Sequence, residues 1–120
     1  MPLWLDEGLA GFFEQPPGQD GVNPDHLQKL REAGSPADLG RLEKVREVKG
    51  MEKPEYREAW AWTHLLLRSD PRAKAVLLDY VQELRSNPSP GPLLPRLQAV
   101  HPDPAAALAG HLHRLAASGR

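Results

Sequence analysis

The sequence contains no cysteine, which excludes disulfides and thiolate-ligated metal sites and leaves the compartment open. It contains no isoleucine, and no segment alternates apolar and polar residues in the β-branched pattern of a strand. No apolar run approaches the ~20 residues needed to cross a bilayer. The N-terminus lacks the basic region and apolar core of a secretory signal. Neither sign of charge prevails: 15 basic residues face 16 acidic ones, for a formal charge of −1. With no basic stripe or block, nucleic acid and anionic membrane have no electrostatic support as partners. Nothing in the sequence fixes a localisation.

What is present reads as a small globular protein. The chain has 120 residues, 40% apolar and 26% charged, enough for one domain over 1–120 with a single core. Proline is abundant at 13 residues, and most prolines punctuate. Asn23-Pro24, Ser35-Pro36, Asp70-Pro71 and Asp103-Pro104 each set a capping side chain before a proline. That pair marks a helix start, because the first-turn N–H that proline lacks has no partner there anyway. Lys53-Pro54 is a weaker case of the same device.

Between these marks the spacing predicts helices near 3–14, 24–33, 36–48, 55–69, 71–86, 92–100 and 104–117. The helix over 71–86 carries an apolar stripe of Ala73, Val76, Leu77, Tyr80, Val81 and Leu84; the last helix carries Ala105, Leu108, Leu112 and Leu115. The fold class is therefore all-α, six or seven short helices packed as one irregular helical domain. "QPPGQDGVN" (15–23) is read as a surface loop and "NPSPGPLLP" (87–95) as a stiff Pro-rich connector. The P-x-x-P spacing at Pro92 and Pro95 is what any Pro-rich linker contains.

The opening stretch "PLWLDEGLAGFFE" is unusual. At 100° per residue Leu3, Glu7, Ala10, Gly11 and Glu14 share one side of a helix, so Glu7 stands above a strip of very small residues. Such a strip admits another backbone closely. An acid in a first turn also complements the helix dipole by about 0.3–1 kcal/mol, and that plainer role fits Asp6 and Glu7 equally well.

The same stretch resembles the segment that follows the H-E-x-x-H helix in gluzincin zinc metallopeptidases, the aminopeptidase N-like enzymes and the uncharacterised families related to them. There a W-L-x-E-G-x-A run supplies the third zinc ligand. Trp4, Leu5, Glu7, Gly8, Ala10 and Glu14 match it, which implies Glu7 as the ligand and Asp6 as a neighbouring acid. "YREAWAWTHLLL" (56–67) is similar to a second helix of those proteins, and the resemblance implies Tyr56 as donor to the oxyanion, although Glu58 and Ala59 replace the family's Lys-Gly. His64, on the face of Tyr56 and Trp60, is a weak candidate for the surroundings of the site, and a hydrogen-bonded core or boundary histidine is the favoured reading. Trp60 and Trp62 are expected to fill the core.

The remaining histidines do not complete a metal set. His111 and His113 lie at i and i+2 on opposing flanks, and His26 and His101 are expected to be exposed. No H-E-x-x-H occurs, so the general base and two ligands are missing. The resemblance implies that the chain is the C-terminal helical part of a zinc-dependent peptidase-like protein acting on peptides or proteins. By itself it should be inactive and should not bind zinc tightly. A packed-against helix lying outside the chain would leave Trp4, Leu5, Phe12 and Phe13 partly exposed and prone to self-association. The alternative is a non-enzymatic helical interaction module on the same scaffold.

Overall fold

The computed structural model describes residues 1–33 and 37–118. Among these the chain is all-helical, with α1 Leu3–Phe13, α2 Pro24–Ala33, α3 Leu39–Glu43, α4 Lys53–Arg68, α5 Pro71–Leu84, α6 Leu94–Gln98 and α7 Pro104–Ser118. A single 3-10 turn, Val48–Gly50, precedes α4.

The proline punctuation acts as expected at three starts. The side chains of Asn23, Asp70 and Asp103 accept the N–H groups of His26, Ala73 and Ala106 at 3.1, 2.9 and 3.2 Å. At α4 the cap is a reciprocal box instead, Glu52 with Glu55, and Pro54 lies just inside the helix. The expected cap at Ser35 lies outside the described residues.

The helix expected over 36–48 is corrected to five residues, capped by Asp38 onto the Arg41 N–H. The last residue of α3, Glu43, turns its carboxylate to the start of α6. It accepts the backbone N–H groups of Leu93 and Leu94 at 2.6 and 3.1 Å, capping the start of α6. Burial pushes the Glu43 carboxyl up, and those two N–H bonds oppose the shift.

α4 is the axis of the molecule. Its residues Ala59 to Leu66 are all buried, and α1, α2, α3, α5 and α7 pack around it. Trp60 and Trp62 fill the core as expected, each 1% exposed. α1 lies closest, because Gly8 rests directly on Ala59 and Thr63. The expected partial exposure of α1 is corrected for three residues: Trp4, Leu5 and Phe12 are buried by α4 and the following loop, and only Phe13 is exposed, at 72%. The Pro-rich connector is held in place by the Tyr80 hydroxyl, which donates to the Gly91 carbonyl at 2.8 Å, and by Arg96, which reaches Pro90 O at 3.3 Å.

Candidate functional site

Three helices meet around a cleft of about 520 Å³. α1 contributes Glu7, Ala10 and Gly11, with Glu14 just past its end; α4 contributes Lys53, Tyr56, Arg57 and Trp60. Both sets follow i, i+3, i+4, i+7 spacing, so each is one face of its helix. α2 supplies Asp25, His26 and Lys29 as the third wall. The small residues Ala10 and Gly11 keep the α1 wall low, as their positions on the Glu7 face suggested.

Glu7 and Tyr56, assigned from different parts of the sequence, line this one cleft. Both side chains are half-buried. Neither forms a hydrogen bond or ion pair among the described residues, so the Glu7 carboxylate and the Tyr56 hydroxyl keep their bonding capacity for a ligand. Asp6 is exposed and outside the cleft. His64 is also elsewhere: it is 1% exposed in the core, bonded to His111 and to the loop between α1 and α2.

His26, expected to be exposed, is half-buried and lines the cleft. Its ring lies 5.9 Å from that of Trp60, and its Nδ1 is buried without a hydrogen-bond partner among the described residues. Burial holds this imidazole below its ordinary value, against the pull of Asp25 and with help from Arg57. Native structures seldom leave a buried ring nitrogen without a partner. The sequence signal was slight: His26 precedes the buried Leu27 by one position, on the flank of α2. His101, also expected to be exposed, is half-buried and donates from Nε2 to Asp70 at 2.8 Å.

The cleft walls carry three acidic and three basic side chains (Glu7, Glu14 and Asp25; Lys29, Lys53 and Arg57), none of them in an ion pair among the described residues. A zinc site needs three protein ligands, two nitrogen and one oxygen in the His₂Glu set. Among the described residues no three His, Asp or Glu side chains gather closely enough to hold a metal ion. The residues present thus supply one carboxylate of such a set and do not make a zinc site by themselves.

No curated protein and no solved structure matches the chain. The model of a family described as protein of unknown function, DUF1570, matches residues 1–90, from α1 through α5 and into the connector. The match takes in all three walls of the cleft, and on that span the chain belongs to the DUF1570 family.

Proposed function

We propose that this chain is the C-terminal helical portion of a zinc metallopeptidase-like protein, in which Glu7 is one metal ligand and two histidines come from residues preceding it. The observation that carries the reading is the shared cleft of Glu7 and Tyr56. The resemblance of "WLDEGLA" to the ligand-bearing segment of gluzincins and that of "YREAW" to their second helix were independent of each other, yet the two residues they single out line one cavity. Membership of DUF1570 names no activity and opposes none.

Zinc, when bound, supplies a Lewis acid that polarises a carbonyl and acidifies water. The chain's own residues have simpler tasks. Glu7 offers an unpaired carboxylate at the edge of a low wall. Tyr56 offers an O–H donor for the negative charge that develops on a peptide carbonyl oxygen, a role that requires an approach of about 3 Å. Gly11 and Ala10 leave room for the backbone of the element that brings the histidines.

Calorimetric titration with zinc tests this. The 120-residue chain should bind more weakly than about micromolar, and the natural protein extended upstream should bind tightly. Glu7→Gln in the extended protein should abolish the tight site. Weak binding unchanged by the extension overturns the reading. It would then favour the interaction module, for which the exposed Phe13 offers a contact.

A further inference from the structure

The loop joining α1 to α2 is held by a ladder of three side chains, one turn apart, on a single face of α4. Trp60 Nε1 donates to the Gly21 carbonyl at 2.8 Å, His64 Nε2 bonds the Asp20 carbonyl at 3.0 Å, and Arg68 Nε donates to the Asp20 carboxylate at 2.7 Å. The loop needs holding: Asp20 has φ 51° and Gly21 φ 75°, and Gly21 lies against the ring of Phe12. A non-glycine residue in the left-handed region persists only where its surroundings fix it.

The middle rung has a partner behind it. His64 Nδ1 lies 2.9 Å from His111 Nε2 on α7, and the two rings are 1% and 4% exposed. The tautomers follow from the acceptors. A carbonyl cannot donate, so His64 Nε2 carries its proton and the neutral ring presents Nδ1 as a lone pair. His111 Nε2 must then be the donor. One added proton, on His111 Nδ1, leaves every bond of this chain intact. A second proton has only His64 Nδ1 to occupy, and two N–H groups then confront each other at 2.9 Å.

We propose that the His64–His111 pair is an acid-sensitive latch on the α1–α2 loop, closed while the pair holds at most one proton and opened by the second. The surroundings give a doubly charged pair little support. The rings of Phe12 and Trp60 stand 5.4 and 5.6 Å from His64. The charged groups facing the pair are Arg68 from α4, Arg114 from α7 and Asp20 from the loop, and the Asp20 carboxylate is already engaged by Arg68. Burial, first, holds both histidines below their ordinary value, and His64 and Arg114 help bring His111 down to about 4.

The latch matters because of what the loop connects. Its first residue, Glu14, and the residues just after it, Asp25 and His26, all line the Glu7 cleft. Opening the loop loosens two of the three walls. His111 lies beyond the residues the family model covers, so α7 adds this control to the domain from outside the match. The latch is a property of this chain whether or not Glu7 ever holds a metal.

Nuclear magnetic resonance of the 120-residue chain, titrated from pH 7 to about pH 2, tests the proposal, because the second proton enters only below the value of about 4 that His111 carries. Ring ¹⁵N shifts of His64 and His111 report protonation and tautomer. The Trp60 indole N–H and the Gly21 and Val22 amides report the loop, and far-UV circular dichroism reports the helices. The expected result is a loss of the hydrogen-bonded Trp60 and loop signals together with the second protonation, while helix content is retained. His111→Gln, whose amide can donate to neutral His64 Nδ1 and turn its oxygen to accept from the protonated one, removes the clash and should hold the loop closed to lower pH. Asp20→Asn, which removes only the carboxylate on Arg68, should leave the transition in place, and His26→Gln excludes the ring beside Trp60 as its source. Loop signals that change at a pH where both rings are unprotonated, or that stay fixed after both have charged, overturn the latch even if the His111 variant fails to fold.

Discussion

Gly8 and Thr63 meet where α1 lies on α4, and the contact leaves no space for a side chain at Gly8. A β-carbon there would overlap Thr63 Oγ1 and stand 2.5 Å from the carbonyl oxygen of Ala59. The hydroxyl can rotate, but the carbonyl belongs to a buried helix backbone and cannot. One turn on, a β-carbon at Gly11 would meet Trp60 at 3.9 Å, an ordinary contact. Gly8→Ala should therefore lower stability by about 1–3 kcal/mol through forced separation of the helices. Gly11→Ala should be neutral or stabilise by about 0.5–1 kcal/mol through helix propensity. Thermal melts of the two variants decide the matter, and equal shifts would mean that α1 does not sit as described.

The two core tryptophans of α4 make a second comparison. Trp60 Nε1 donates to Gly21 O, whereas Trp62 Nε1 is buried with no partner among the described residues. Trp→Phe removes a similar volume at either position, but only at Trp60 does it strand a buried carbonyl, at an added cost of about 1–3 kcal/mol. Urea denaturation should thus place Trp60→Phe below Trp62→Phe. The reverse order would show that the loop is not tied through the indole.

Much of this architecture was legible in the sequence because its signals are local. Asn23, Asp70 and Asp103 each announce a helix by chemistry completed within three residues, and the stripe from Ala73 to Tyr80 is set by the period of one helix. What escaped depends on distant partners. Glu43 at the end of α3 bonds Leu93 and Leu94, 50 and 51 residues away. His64 meets His111 across forty-seven residues, and no spacing rule joins them. The cleft lies between these cases: the faces of α1 and α4 could be drawn on helical wheels, but the third wall, with His26, exists only because the 14–23 loop folds back onto α4.

Glu7 forms no hydrogen bond or ion pair among the described residues, so its removal should do nothing to the fold. Glu7→Gln is expected to change the unfolding free energy of this chain by less than about 0.5 kcal/mol. That neutrality makes it a clean probe of ligand binding. A drop of several degrees in melting temperature would instead give the carboxylate a structural role.

Asp70 joins two parts of the structure through one carboxylate. Oδ1 accepts the Ala73 N–H at 2.9 Å and caps α5, and Oδ2 accepts from His101 Nε2 at 2.8 Å in the turn that leads to α7. The Ala73 bond first, and His101 after it, hold the Asp70 carboxyl below its ordinary 3.8. A lowered carboxyl contributes stability that is present above its unfolded value and lost as pH falls through the folded one. Asp70→Ala should cost about 0.5–2 kcal/mol at pH 7 through the lost cap. Asp70→Asn, which retains an acceptor for Ala73 but loses the charge facing His101, should cost less. The gap between wild type and Asp70→Asn should then narrow as pH is lowered from 5 toward 2, because protonation removes from the wild type what the substitution has already removed. Urea melts across that range provide the measurement, and a gap that stays constant would mean that the Asp70–His101 contact contributes nothing in solution.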